Sequence, residues 1–201
     1  MNPQKSITIK VILLIFIILL IDQIVKFYIK TNFRLYETVQ VFNWFQIHFV
    51  ENSGMAFGLK FGGKAGKLFL TLFRVAAVVV LIIFIRNLIK SGARNGFILT
   101  IAMVLVGAAG NIIDSVFYGV LFSKSTETTI AQFLPENGGY APLLQGQVVD
   151  MLFFPIINNS HGQVLFFSAV FNIADSAITI AIFLIIIFFL KDLNKSLEKK
   201  K

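Results

Sequence analysis

A chain of 201 residues is long enough for one domain, but 57% apolar residues and a mean hydropathy of +0.82 exceed what an ordinary soluble fold carries. With no cysteine, the chain has no disulfide, no thiolate nucleophile and no lipid-modified cysteine of its own. A net charge of +8 would point to nucleic acid in a soluble protein, yet here the basic residues follow the ends of apolar runs, so no nucleic-acid partner is expected.

Four apolar stretches, at about 9–29, 68–85, 97–117 and 165–190, are each near the roughly 20 residues that cross a bilayer core as a helix. Lys5 and Lys10 open the first stretch, Arg86, Lys90 and Arg94 crowd the link between the second and third, and Lys191, Lys195, Lys199, Lys200 and Lys201 follow the fourth. By the positive-inside rule these segments and both termini are cytoplasmic. The first stretch lacks a small-x-small exit and runs on into Asp22, Lys26 and Tyr28, so it reads as an uncleaved span. The lysine-rich tail reads as a solvated terminus facing the inner leaflet.

The two longer connections, at about 31–67 and 118–164, then face outward. The first contains E-T-V-Q-V-F-N-W-F-Q-I-H-F-V-E from Glu37 to Glu51, partly alternating and rich in β-branched and aromatic residues, which predicts short strands on the membrane surface with Trp44 as an interfacial anchor. The turn formers Asn52-Ser53-Gly54 follow, and Gly62-Gly63 ends the loop. The second connection is rich in Ser, Thr, Gly and Pro over 123–147 and reads as an excursion into the outer compartment, returning through Val148-Val149-Asp150-Met151. The expected fold is mainly α: one membrane domain over 1–201, of four transmembrane helices, a small extracytoplasmic β-sheet and an extended loop between the third and fourth helices.

Polar residues within the spans gather at one depth. Asp22 and Lys26 lie late in span one, Asn111 and Asp114 late in span three, and Asn172 and Asp175 early in span four, so alternating span direction puts all of them on the outer side. With a helix starting near 165, Asp175 falls on the order of 15 Å below its start, at ~1.5 Å rise per residue. The i, i+3 and i, i+4 spacings place each pair on one helix face. A carboxylate in hydrocarbon costs several kcal/mol on insertion scales, so such groups face the bundle interior and have a partner or a function. Gly107-Ala108-Ala109-Gly110 would let another helix approach closely. Asp22 with Lys26 reads as a structural or substrate-orienting ion pair, Asp114 as structural, and Asn111 and Asn172 as interhelical hydrogen-bond partners or pocket residues. For Asp150 and Asp175 physical chemistry alone leaves catalysis, ion pairing and a transport path open. Against transport, the inner halves of the spans lack an ionisable relay. His48 and His161 stand alone, without a ligand cluster such as H-E-x-x-H, so no metal and no other cofactor are expected.

Five motifs together resemble the lipoprotein signal peptidases, or signal peptidase II, over nearly the whole chain. They are Asp22-Gln23-x-x-Lys26, Asn52-Ser53-Gly54-Met55-Ala56-Phe57, Gly110-Asn111-Ile112-Ile113-Asp114, Val148-Val149-Asp150 and Phe171-Asn172-Ile173-Ala174-Asp175, in the family's order. The resemblance implies an aspartyl endopeptidase of the bacterial inner membrane that removes signal peptides from prolipoproteins by cutting before a diacylglyceryl-modified cysteine. It implies Asp150 and Asp175 as the catalytic dyad and Asp22, Lys26, Asn52, Gly54, Asn111, Asp114, Asn172 and Ala174 as pocket support. It also implies contact with membrane lipid, a monomer, an active site near the outer face, and inhibition by globomycin-type lipopeptides. Two departures stand out: Ser115 occupies a position where the family usually has arginine, and the connection from Asp114 to Asp150 is longer than usual.

Overall fold

The computed structural model describes residues 2–53, 63–158, 164–166 and 168–198. Gly54, the rest of its turn through Gly62, His161 and the last three lysines lie outside the described residues. Long apolar runs without internal proline become helices: α1 (Pro3–Asn32), α2 (Gly63–Lys90), α3 (Asn95–Ile113) and α5 (Ile173–Leu184), the last continued by a π turn (Ile185–Phe189) and α6 (Leu190–Glu198). α3 runs into a π turn (Asp114–Tyr118) and the short α4 (Gly119–Leu121). Four of these runs, Pro3–Asn32, Gly66–Lys90, Asn95–Leu121 and Ile173–Glu198, are long and apolar enough to cross a membrane. Phe16, Phe69 and Ile187 are among many large apolar side chains left outward on them, which in water would form an aggregating patch and in lipid would be solvated. The multi-pass membrane architecture expected from composition is therefore observed.

The chain forms two compact units. The first comprises Met1–Ile21, Phe73–Gly110 and Ile173–Lys201. Its core joins Ile7 and Val11 of α1, Ile85 and Leu88 of α2, and Phe97, Ile98, Ile101, Ala102 and Leu105 of α3, with Phe189 and Leu193 packed against them. Half of the apolar window of α3 is buried, against 11–17% for the other three helices, so α3 is the most buried of the four. Gly107 is where α3 meets α5: a Cβ there would lie 2.3 Å from Ile178 Cγ1 and 2.4 Å from the Ala174 carbonyl oxygen. This is the close approach that the small-residue run predicts.

The second unit comprises Asp22–Leu72 and Asn111–Asn172. The expected strands are present as β1 (Thr38–Phe42) and β2 (Phe45–Asn52), and β3 (Val148–Phe153) completes an antiparallel sheet of order β1-β2-β3. Its core holds Ile29, Phe49, Tyr118, Phe122, Ala131, Val149 and Met151. Trp44 stands at the β1–β2 turn, stacked at 5.5 Å on Phe42 and 6.1 Å from Phe154, and is 56% exposed.

Two differences from expectation have physical causes. The apolar run beginning at Leu165 does not all become helix: Val164–Phe166 (β5) pairs with Ile157–Asn158 (β4), and Phe171 exchanges backbone hydrogen bonds with Leu152. α5 therefore starts at Ile173, and Asp175 lies in its first turn rather than deep within it. Second, the long connection is folded onto its own unit. Ala141, Leu144 and Gly146 donate backbone N–H groups to the carbonyls of Gly119, Val116 and Ser115 at 2.9, 3.1 and 2.8 Å, tying the connection to the π turn and α4.

Candidate active site

The polar residues of α1 occupy one stripe because Asp22, Lys26 and Lys30 recur every four residues. Lys26 is fully buried, with its ammonium 3.0 Å from Asp22 Oδ2, 2.9 Å from Asp114 Oδ2 and 3.1 Å from Asn111 Oδ1. One lysine thus lies between two carboxylates. Gln23 Nε2 donates to Asp22 Oδ2 at 3.1 Å and to Asp114 Oδ1 at 3.0 Å, and its carbonyl oxygen accepts from the Tyr118 hydroxyl at 3.2 Å. Burial of charge is costly unless each group is paired and hydrogen-bonded, and this network supplies both.

Asp150 sits in the middle of β3, 3% exposed and opposite Val50 of β2. Its carboxylate accepts from two neutral amides, Asn172 Nδ2 to Oδ1 at 2.6 Å and Asn52 Nδ2 to Oδ2 at 3.3 Å. Asn172 Nδ2 also lies 2.9 Å from Asn111 Oδ1, the oxygen that Lys26 reaches, and so connects Asp150 to the ionic network. Asp114 acts on the same strand through the backbone, accepting the Val149 N–H at 3.1 Å. Six of the predicted residues besides Asp150 thus meet in this unit: Asp22, Lys26, Asn52, Asn111, Asp114 and Asn172.

Ala174 and Asp175 belong to the other unit, in the first turn of α5. Ala174 is buried and presents its backbone to Gly107, which explains a small residue there. Asp175 is half-buried, its carbonyl accepting the Thr179 hydroxyl at 2.9 Å, and an acidic residue in a first turn complements the helix dipole. Gly54 lies outside the described residues.

Ser115 is buried and donates its hydroxyl to the Asn111 carbonyl at 2.8 Å. The returning connection lies directly on it through Gly146, whose absent Cβ would be 2.1 Å from the Asp114 carbonyl oxygen. A long side chain at 115 would compete with this packing. Sequence reasoning gave no role to Gln23 or Tyr118, or to a second buried cluster of Lys30, Glu51 and Ser125. The four-residue repeat Asp22-Lys26-Lys30 was the available signal for Lys30.

The fold is that of a polytopic helical membrane protein whose small sheet carries a buried carboxylate. Two solved structures described as bacterial membrane enzymes, determined by the in meso method, match at 25% identity with TM-scores of 0.61 and 0.60. The matches cover 92% and 91% of this chain and 90% and 94% of those chains. The family model described as signal peptidase (SPase) II matches residues 14–191, and the chain belongs to that peptidase family. Among similar proteins, the lipoprotein signal peptidase of Porphyromonas gingivalis is 40% identical over 94% of this chain and 86% of its own length. Those of Amoebophilus asiaticus and Staphylococcus haemolyticus are 32% and 31% identical, over 83% and 96% of this chain and 72% and 98% of their own lengths.

Proposed function

We propose that this peptidase removes the signal peptide from prolipoproteins, cutting before a diacylglyceryl-modified cysteine, with Asp150 and Asp175 as its acid-base pair. The observation that carries the reading is that amides from two separate segments converge on one buried strand carboxylate. Asp150 accepts from the amides of Asn52 and Asn172, and Asn172 also donates to the Asn111 oxygen that Lys26 reaches. Such amide donors fix the position and orientation of a carboxylate.

The proposed acid-base mechanism uses one proton on the pair. The ionised member takes a proton from a water molecule while the protonated member donates to the scissile carbonyl oxygen, giving a tetrahedral intermediate. Its collapse expels the amine of the modified cysteine with a proton returned from the dyad. Asn52, Asn111 and Asn172 orient Asp150, Lys26 with Asp22 and Asp114 supports them, and Ala174 seats the turn that carries Asp175. Gly54 belongs to the pocket by its motif.

The enzyme works as a monomer in the bacterial inner membrane, with both termini cytoplasmic and the active site near the outer face. There an apolar signal helix and a lipidated cysteine enter sideways from the bilayer and water enters from outside. Globomycin-type lipopeptides occupy the same pocket. A gel-shift processing assay with diacylglyceryl-modified and unmodified precursor, with and without globomycin, tests the proposal. Cleavage of the modified form alone, blocked by globomycin and abolished by Asp150→Asn and by Asp175→Asn, is expected. Equal cleavage of both forms rejects the substrate assignment, and near-normal cleavage by either variant removes that residue from the dyad.

A further inference from the structure

The β2–β3 pair carries a second buried charge cluster on the face opposite Asp150. Directly opposed residues of an antiparallel pair share a face, and successive residues alternate. Val50 pairs with Asp150, and Asn52, two positions along, shares its face and reaches its carboxylate. Glu51 lies between them, opposite Val149, and takes the reverse face, where Phe49, Val149 and Met151 are buried. On that face the Lys30 ammonium pairs with Glu51 Oε1 and donates to Ser125 Oγ at 3.0 Å, while Ser125 Oγ donates to Glu51 Oε1 at 3.0 Å. The ammonium also lies 4.9 Å from the centre of the Tyr140 ring and 5.5 Å from that of Phe122. Lys30 and Ser125 are 0% and 1% exposed and the Glu51 side chain 5%.

Three separate segments meet there: the end of α1, the strand β2, and the long connection that supplies Ser125, Tyr140 and Phe122. A buried ion pair is a poor source of net stability, because desolvation consumes most of its Coulombic gain. Its directionality is another matter, since only one docking of the connection satisfies ammonium, carboxylate and hydroxyl together. Glu51 immediately precedes Asn52, a donor to Asp150, and is paired with Val149, which immediately precedes Asp150. A displacement of Glu51 is therefore transmitted to both sides of the Asp150 carboxylate.

We infer that Lys30, Glu51 and Ser125 are positioning residues for the peptidase reaction, locking the long connection to the back of the β2–β3 pair and thereby aiming Asn52 and Asp150. The inference rests on the reading of Asp150 as catalytic. The Lys30→Met/Glu51→Met double variant and Ser125→Ala, each as the full chain in detergent with diacylglyceryl-modified precursor, are the test. Thermal midpoint, kcat per folded molecule and KM are measured. The double variant removes both buried charges and is expected to keep a thermal midpoint at or above that of the original chain. Its kcat should nevertheless fall about 10- to 100-fold with KM within about 2-fold, as expected for a misaimed reacting group. Ser125→Ala keeps the ion pair and should lower kcat by about 3- to 10-fold on the same grounds. An unchanged kcat per folded molecule in the double variant overturns the inference, as does a loss of activity that only follows the folded fraction. Should the double variant fail to fold, an unchanged kcat in Ser125→Ala overturns it and a reduced one supports it. If Asp150→Asn remains active, the catalytic reading itself fails; if it is inactive while the double variant is fully active, only the positioning inference fails.

Discussion

Asp114 Oδ2 accepts the backbone N–H of Val149 at 3.1 Å and lies 2.9 Å from the Lys26 ammonium, so one carboxylate joins the ionic network of α1 to the residue before Asp150. This arrangement ranks substitutions in the network. Lys26→Met leaves Asp22 and Asp114 buried without their shared cation, and Asp114→Ala leaves Lys26 with Asp22 and frees the Val149 N–H. Each should cost about 3–5 kcal/mol, the usual penalty for breaking a buried pair from one side. Asp22→Asn keeps an acceptor beside Lys26 and the whole Lys26–Asp114 pair, and should cost only about 1–2 kcal/mol. Thermal unfolding in detergent orders the three, and equal losses for Asp22→Asn and Lys26→Met would contradict the network.

Asn172 bridges Asp150 at 2.6 Å and Asn111 at 2.9 Å. Asn172→Ala should reduce kcat about 100-fold, with little change in KM, by letting the carboxylate rotate out of aim. The stability cost should be about 1–3 kcal/mol, for Asn111 and Asp150 each lose a buried partner. Asn172→Asp puts a second carboxylate beside Asp150. Like charge disfavours ionisation, so protonation relieves the repulsion and the activity of this variant should recover partly as pH falls. Steady-state kinetics across pH would read both effects, and a KM-only change in Asn172→Ala would argue against aiming.

At Gly107 the obstacle to a side chain includes backbone, the Ala174 carbonyl oxygen at 2.4 Å from a built Cβ. Gly107→Ala should therefore cost about 1–3 kcal/mol by overpacking. Shortening the facing side chain with Ile178→Val should restore only part of it. Because Asp175 follows Ala174 in the same turn, kcat should fall as well. A fully stable, fully active Gly107→Ala protein would show that α5 can be displaced freely.

The seating of the long connection can be probed at Gly146 and Ser115. Gly146→Ala drives a methyl against the Asp114 carbonyl oxygen, 2.1 Å away, and should cost about 1–3 kcal/mol. Ser115→Arg introduces a buried guanidinium where the connection lies, and should cost more than Ser115→Ala by displacing that packing. Ser115→Ala removes one local hydrogen bond and should cost about 1 kcal/mol. Thermal midpoints together with the rate of proteolysis within the connection separate the three. An Arg variant as stable as the original chain would show that the position is open.

The spans, the presence of strands in the first long connection and the polar residues that gather in the second unit were legible in the sequence. Hydrophobic length and residue spacing are local properties, written in consecutive residues. The small-residue run likewise marked Gly107 before its neighbour was known. Other features were decided only by tertiary structure. Leu165 and Phe166 are as apolar as the helix that follows, yet Val164–Phe166 is a strand because Ile157–Asn158 is there to pair with it. Lys30, Glu51 and Ser125 form one cluster, and Asp114 reaches Val149, through contacts between residues 21 to 95 positions apart. The amides of Asn52 and Asn172 reach Asp150 from 98 and 22 positions away in the same way. A carboxylate's chemistry is set by what surrounds it in space, and for a buried group those surroundings come from distant parts of the chain.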